Sequence, residues 1–290
     1  MNKFETYLIN NGIHFQVAGQ YGRIADKYIE WLEANGLKAG KVKRSQFTDW
    51  LQLNRERGNK ETTIITKENI IKHYYYFLGT KNNPALSWMK RKKEYTLPPT
   101  AIETGDLKKI YESLNPKSPA EYRNRCMLGL VLFQGLKRSE IGELRISDLN
   151  FDTGDVFVQG QRRTNSRRLK LEAIQIVHLY DYTNRYRREF LCYKKGDTDR
   201  LFLSKGSSEQ MNNATNGLLY KLKKAFPQIE NLIHIRGSVI THWQKQEGIM
   251  EAMVKAGHRY ISSTQRYQTN KYEELQDQLK SKHPLESLEI

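Results

Sequence analysis

Pro98 and Pro99 follow closely behind the basic run Lys90-Arg91-Lys92-Lys93, and this connector constrains the fold of the 290-residue chain more than any other stretch. Two adjacent prolines remove two backbone donors and cannot continue a helix. Four successive cations repel one another and stay hydrated. The chain is therefore expected to divide here, into a part over 1–97 and a part over 98–290. Both lengths suit the usual range of about 100–200 residues per domain.

The part before the connector reads as helical. Tyr21, Ile24, Ala25, Tyr28, Trp31 and Leu32 recur at helical spacing, and Asn35-Gly36 closes that segment. Ser45 is expected to cap a helix through Phe47, Trp50, Leu51 and Leu53, ended by Gly58. A third helix is expected from about Thr66, with Ile70, Tyr74, Phe77 and Leu78 on one face. After the connector, Thr104 opens a helix through Leu107, Ile110, Tyr111 and Leu114, and the apolar run RNRCMLGLVLFQG forms the next. The turn signal Asp152-Thr153-Gly154-Asp155 precedes VFVQG, which alternates as a strand, with RRTNSRRLKL as its hairpin partner. A helix from Leu171 to Leu191, with its apolar face broken by the basic turn Arg185–Arg188, and another over 212–226 follow. Leu201–Ser204 reads as a short strand or turn. The fold class is mainly α with a small β-sheet.

The charge balance points to a polyanionic partner. The formal net charge is +16, and residues 1–93 alone hold 17 Lys and Arg against 8 Asp and Glu. Nucleic acid is the commonest partner for such an excess. A basic chain can also sit on membranes, but no strongly amphipathic Lys/Trp helix stands out, and no run nears the ~18 apolar residues of a membrane span. The first residues, MNKFETYLINNG, carry no apolar core or cleavage site of a secretory leader. Cys126 and Cys192 are the two cysteines, too few for a disulfide framework; Cys126 reads as a small core residue. A cytoplasmic address, no membrane partner and no metal are expected.

The chemistry concentrates between Leu232 and Tyr267, in LIHIRGSVITHWQKQEGIMEAMVKAGHRYISSTQRY. Arg236 lies on an expected helix, Gly257-His258 falls at a helix end, and Tyr267 stands nine residues beyond the histidine. A phenol oxygen can attack phosphorus to give a covalent phosphotyrosine without metal or cofactor. A guanidinium matches a phosphate with its planar fork, and preorganised Arg and His donors stabilise the charge of the transition state. With 17 tyrosines in the chain, any one of them is ordinarily a core or surface residue. The joint spacing of the three groups is what singles out Tyr267.

This stretch resembles the C-terminal signature of the tyrosine recombinases, or phage-type integrases. GHRYISSTQRY matches that family's Gly-His, small polar residues, Thr, spacers and Tyr almost position for position. The resemblance implies a helical core-binding domain before the connector and a catalytic domain after it, forming a clamp on double-stranded DNA. It implies site-specific strand exchange through a 3′-phosphotyrosine, with Tyr267 as nucleophile, Arg236 and His258 on the scissile phosphate, and no cofactor. It further implies a tetramer on DNA, linked by a C-terminal segment in which Leu275, Leu279 and Leu285 are candidate anchors, and a mobile-element context of integration or excision.

Three departures from the family pattern leave other readings open. In Gly135-Leu136-Lys137-Arg138-Ser139-Glu140-Ile141, strict register puts Lys137 where the family has its first catalytic arginine, and Arg138 one place late. One residue on a helix is ~100° of rotation. Lys137 keeps the charge but loses the fork, so Lys137 and Arg138 are both candidates. The family's hairpin lysine, a general acid, is replaced after Gly160 by Gln161, Arg162 and Arg163. Arginine is a poor proton donor because its pKa exceeds about 12. The arginines Arg162, Arg163, Arg167 and Arg168 read equally as phosphate contacts or as a solvated basic hairpin. Lys90, Arg91 and Lys92 of the connector are further candidate backbone contacts. The family's histidine before Arg236 belongs at 233, where this chain has Ile233; His234 is one residue off, and His242 is a neighbour on the same helix. A DNA-binding protein of the same fold with a decayed active site is the second reading, and a monomeric type IB topoisomerase the third.

Overall fold

The computed structural model describes residues 2–86, 100–161, 163–194, 196–206 and 211–267. The chain forms two compact units, Met1–Glu94 and Tyr95–Ile290. The expected boundary at 97, with Lys90, Arg91 and Lys92, lies outside the described residues, as do Arg162 and everything beyond Tyr267.

Among the described residues the first unit holds four α-helices: α1 (Lys3–Asn10), α2 (Phe15–Ala34), α3 (Arg44–Glu56) and α4 (Glu61–Leu78). On α2, Ala25, Tyr28 and Leu32 are buried, with Tyr21, Ile24 and Trp31 packed against the same core. Aromatic rings fill much of that core. Tyr28 meets Trp50 edge-on with centroids 4.9 Å apart. The Tyr28 and Tyr75 hydroxyls, both buried, satisfy each other at 2.9 Å. Two boundaries differ from the sequence reading. Lys43, not Ser45, takes the cap position of α3, where its amide donates to the Gln46 side chain at 2.8 Å. Helix α4 starts at Glu61, five residues before Thr66, because Ile64 adds a full turn to its buried face.

The second unit is organised around α6 (Pro119–Leu132), which follows α5 (Thr104–Glu112). Pro119 occupies the first turn, where a missing amide hydrogen costs nothing. Every residue from Cys126 to Leu132 is buried. Each large aliphatic side chain so buried contributes about 1.5–3 kcal/mol. Helix α7 (Arg138–Glu143) leads to a three-stranded antiparallel sheet of β1 (Leu149–Asn150), β2 (Asp155–Val158) and β3 (Arg167–Lys170), in that order. Asp155 pairs with Lys170 and Val158 with Arg167, so the hairpin read from the sequence is present.

Helix α8 (Ala173–Asp181) continues through a widened turn over Tyr182–Tyr186 into α9 (Arg188–Leu191). The chain thus keeps a helical course from Ala173 to Leu191, as expected, and the basic residues Arg185–Arg188 do not all face out. Arg187 turns inward instead and donates to the Thr198 and Arg200 carbonyls. Leu201–Leu203 is buried irregular backbone. Helices α10 (Asn212–Ala225), α11 (Leu232–Glu247), α12 (Ile249–Ala256) and the short α13 (Ile261–Gln265) complete the described unit.

Candidate active site

Helix α11 uses two faces for two tasks. His234, Ser238 and His242, four residues apart, grip the segment entering the unit. His234 Nε2 donates to the Thr100 carbonyl at 2.8 Å, and its Nδ1 accepts from the Glu230 amide at 3.3 Å. Ser238 accepts from the Ile102 amide at 2.9 Å, and His242 Nε2 donates to the Ile102 carbonyl at 2.7 Å. Both histidines are thus committed to backbone groups. The candidate catalytic place for His234 is corrected: one residue on a helix turns it onto the gripping face. Ile233, where the resemblance would put a histidine, is 74% exposed.

Arg236 leaves α11 on the other face and is 4% exposed. Its guanidinium donates through Nη1 to the Gly135 carbonyl and through Nη2 to the Ala256 carbonyl, the latter at 2.8 Å. These acceptors come from the tight link after α6 and the C-terminal end of α12. Nη2 also lies 3.3 Å from His258 Nε2. Burial is the main cause that lowers the Arg236 pKa to about 10, with the nearby Arg167 charge adding to it and Glu140 opposing it. The group stays charged at neutral pH.

His258 arrives by way of Gly257, which ends α12 with φ +67°. A Cβ here would lie 2.6 Å from Arg167 Nη1 and 3.0 Å from the Asn165 carbonyl oxygen, so glycine is required twice over. The hairpin docks against this point: the Asn165 amide donates to the Gly257 carbonyl at 2.9 Å, and Thr164 bridges to His258. His258 Nδ1 lies 2.9 Å from Thr264 Oγ1. Burial, then the charges of Arg236, Lys137 and Arg167, push its pKa down to about 4. The ring is neutral when no anion is bound.

Tyr267 stands two residues past α13. Its ring lies parallel to that of His258, with centroids 6.3 Å apart and planes 9° from each other. It also lies over Gly237, where a Cβ would sit 3.2 Å from Tyr267 Cε1. The next residue after Arg236 must be small for the tyrosine to reach this place.

Lys137 caps the start of α7, half-buried, with its amide donating to Glu140 Oε2 at 2.8 Å. Burial and the charges of Arg236 and Arg167 lower its pKa, while Glu140 works against them. Lys137 is thus within electrostatic reach of the Arg236 cluster. Arg138 is exposed and points to Asn212, its Nη1 3.5 Å from Oδ1, so of the two neighbours Lys137 is the one the fold brings to the site.

Arg167 is a second correction. The sequence offered it as a phosphate contact, yet it is 6% exposed and locked to Glu140 by two bonds of 2.9 and 3.0 Å. Its Nε donates to the Lys255 carbonyl at 2.7 Å. At the first position of β3 its side chain faces the core rather than solvent. Arg168 and Lys170 are drawn to Asp155 at 2.8 and 3.9 Å, and Lys170 also donates to the Thr153 carbonyl. Arg163 is exposed on the loop between β2 and β3. Ser139 reaches Gln161 at 3.0 Å, where the resemblance would have a lysine.

Three buried or half-buried cations therefore surround one carboxylate, Glu140. Burial alone would raise its pKa, but bonds from Arg167 and the Lys137 amide, together with the Arg236 charge, hold it below the usual carboxylate value. Three cations against one carboxylate leave a surplus positive charge here, with a phenol beside it. Glu140, Thr264 and the Gly135 carbonyl are the supporting groups whose roles the sequence did not disclose. Glu140 and Thr264 both stood inside the quoted motifs. Glu140 three residues past Lys137 is a capping-box spacing, which marks a helix start and gives no hint of burial.

The family model for the phage integrase family matches residues 101–274, which takes in Lys137, Arg236, His258 and Tyr267. The chain belongs to the phage integrase family. Among curated relatives, tyrosine recombinase XerD of Oceanobacillus iheyensis is 24% identical, covering 97% of this chain and 96% of its own length. Tyrosine recombinase XerC of Escherichia coli is 24% identical over 91% of this chain and 89% of its own. Among solved structures, the XerH site-specific recombinase bound to palindromic difH substrate is similar with a TM-score of 0.68. It shares 16% identity, over 91% of this chain and 79% of that one. A lambda integrase dimer on a core site gives a TM-score of 0.64 at 12% identity, over 91% and 92%. At such identities the solved structures establish this integrase's fold. Among its described residues no helix is long and apolar enough to cross a membrane.

Proposed function

We propose that this integrase-family chain is a site-specific DNA recombinase that cuts and rejoins DNA through Tyr267. The observation that carries the reading is the stacked His258–Tyr267 pair beside the buried Arg236 guanidinium, with Lys137 within electrostatic reach of the same cluster. The tyrosine oxygen attacks the scissile phosphorus, the bond to the 5′-oxygen breaks, and a 3′-phosphotyrosine and a free 5′-hydroxyl result. A 5′-hydroxyl from a second duplex then reverses the step, so the phosphodiester energy is conserved and no nucleotide cofactor is consumed. Lys137, Arg236 and His258 hold the non-bridging oxygens, where charge develops. Lys137 replaces an arginine fork with a point charge.

Residues 1–97 act as the core-binding domain and 98–290 as the catalytic domain. The basic excess of the first unit and the exposed Arg163 supply phosphate contacts, with Arg162 and the connector cations Lys90, Arg91 and Lys92 alongside them. The protein works in the cytoplasm, as a tetramer assembled on two duplexes, in the integration or excision of a mobile element. The similar solved structures, XerH bound to difH substrate and a lambda integrase dimer bound to a core site, support double-stranded DNA as partner. A decayed active site is not favoured, because the fold keeps arginine, histidine and tyrosine together in one charged cleft.

The test is a nicked suicide duplex, its sequence recovered by selection for binding from DNA flanking the gene. Wild type and Tyr267→Phe are compared on a denaturing gel. A slow covalent species with wild type alone supports the nucleophile. If both proteins bind the duplex and neither forms the adduct, the recombinase reading fails in favour of a DNA-binding relic. Relaxation of supercoiled DNA without a specific site would instead indicate a topoisomerase.

A further inference from the structure

Thr264 is fully buried, between the histidine and the tyrosine. Its hydroxyl lies 2.9 Å from His258 Nδ1. Its carbonyl accepts from the Tyr267 amide at 3.0 Å and from the Gln244 side chain at 2.6 Å. A guanidinium carries donors only, so Arg236 Nη2, 3.3 Å away, makes His258 Nε2 an acceptor. The proton of the neutral ring then sits on Nδ1 and is donated to the Thr264 oxygen. Arg236 thus sets which ring nitrogen carries the proton, while Thr264 accepts that proton and also holds the turn that delivers the tyrosine.

We propose that Thr264 is a positioning residue for strand cleavage, holding His258 with Nε2 turned to the scissile phosphate while its carbonyl registers Tyr267 against the same phosphate. The proposal rests on the reading of Tyr267 as nucleophile. His258 is faced by Arg236 from α11, by Lys137 and Glu140 from the start of α7, by Arg167 from β3, and by the Tyr267 ring. The three cations oppose a charged imidazole and Glu140 favours it. A bound phosphodiester brings a further anion to Nε2. The ring then takes a proton from solvent, and both N–H groups donate, Nδ1 to Thr264 and Nε2 to a non-bridging phosphate oxygen. In that step one N–H bond forms at Nε2 and one O–H bond of a solvent hydronium breaks. Loss of the threonine hydroxyl disfavours the charged ring and lowers the pH above which cleavage fails.

Two variants separate the hydroxyl from the shape of the side chain. Thr264→Val keeps the shape and Thr264→Ser keeps the hydroxyl. With the suicide duplex, Thr264→Val is expected to cleave about tenfold more slowly, the size of one hydrogen bond to a charged group. Its alkaline limb should move to lower pH by about half a unit to one unit. Thr264→Ser should recover most of the rate and the wild-type pH profile. An unchanged profile for Thr264→Val, or equal losses in both variants, overturns the proposal. Nitrogen-15 NMR of the histidine rings, with His258→Gln to assign the signal, reads the proton position without any cleavage. Wild type should carry it on Nδ1, hydrogen-bonded to Thr264, and Thr264→Val should shift the Nδ1 resonance by removing that acceptor; a proton on Nε2 in wild type overturns the proposal. If wild type forms no adduct, the function reading fails, and the NMR result still decides on Thr264.

Discussion

Glu140 and Arg167 form a two-point ion pair almost sealed from water, with side-chain exposures of 0% and 3% and bonds of 2.9 and 3.0 Å. The pair joins α7 to β3 beside Arg236, whose Nη1 lies 3.8 Å from Glu140 Oε2. Breaking it by Glu140→Ala leaves Arg167 buried without a counter-charge and Arg236 facing it 3.8 Å from where the carboxylate stood. Urea unfolding should show a loss of about 3–5 kcal/mol. Pairing Glu140→Leu with Arg167→Met should recover at least half of that, since apolar replacement of both partners is often neutral. A double variant as unstable as the single one would show that the pair is not the source of the loss.

Lys137 and Arg138 are neighbours with opposite fates, and their alanine variants should differ accordingly. Lys137→Ala removes a charge from the cleft and is expected to slow suicide-duplex cleavage about 10²-fold or more. Arg138→Ala removes an exposed side chain and should change the rate less than about threefold. Equal effects in a cleavage time course would contradict the orientation seen here.

The pH dependence of stability in the free protein follows from two groups with lowered pKa values. His258 moves from an ordinary 6.5 to about 4, so the unfolded chain binds its proton first and folding is penalised as pH falls between those values. Glu140 is also lowered, so its contribution is present above the ordinary 4.5 and is lost as pH falls through its lower folded value. Wild type should lose about 1–3 kcal/mol from pH 7 to pH 4 through His258 alone. His258→Gln should be flatter across that window in thermal melts at stepped pH. Calorimetry of DNA binding near pH 6 in two buffers should register proton uptake by wild type that is reduced in His258→Gln.

Gly237→Ala tests the close approach of Tyr267. In a helix interior alanine is favoured over glycine by about 0.8–1 kcal/mol. The new methyl would sit 3.2 Å from the Tyr267 ring and push it outward. The variant should melt no lower than wild type yet form the adduct about tenfold more slowly or worse, because small misplacements of a reacting group are costly. A wild-type adduct rate would place the tyrosine elsewhere during the reaction.

Where the sequence carried local instructions, it was readable. The periodic faces of α2 and α3, the hairpin around Gly160 and the spacing of Arg236, His258 and Tyr267 all follow from short-range rules. Direction of a side chain at a known position was harder to read. Arg167 looked like one more hairpin cation, and only the inward alternation of β3 together with a carboxylate from α7 buries it. His234 failed as a site residue because the segment Thr100–Ile102, more than 130 residues earlier, takes up its ring. Lys137 was legible in register, but its preference over Arg138 depended on which one the turn after Gly135 directs inward. Such facts are settled by packing between segments remote in sequence, which no window along the chain contains.

The two carbonyls that hold Arg236 belong to Gly135, 101 residues before it, and Ala256, 20 residues after it. The Arg236 guanidinium therefore takes its direction from both flanking segments folded around it. A ribosome-bound chain ending before residue 256 already contains this arginine but cannot aim it, and it does not yet contain the tyrosine. The geometry of the proposed site therefore forms only once the chain has extended through Ala256 to Tyr267.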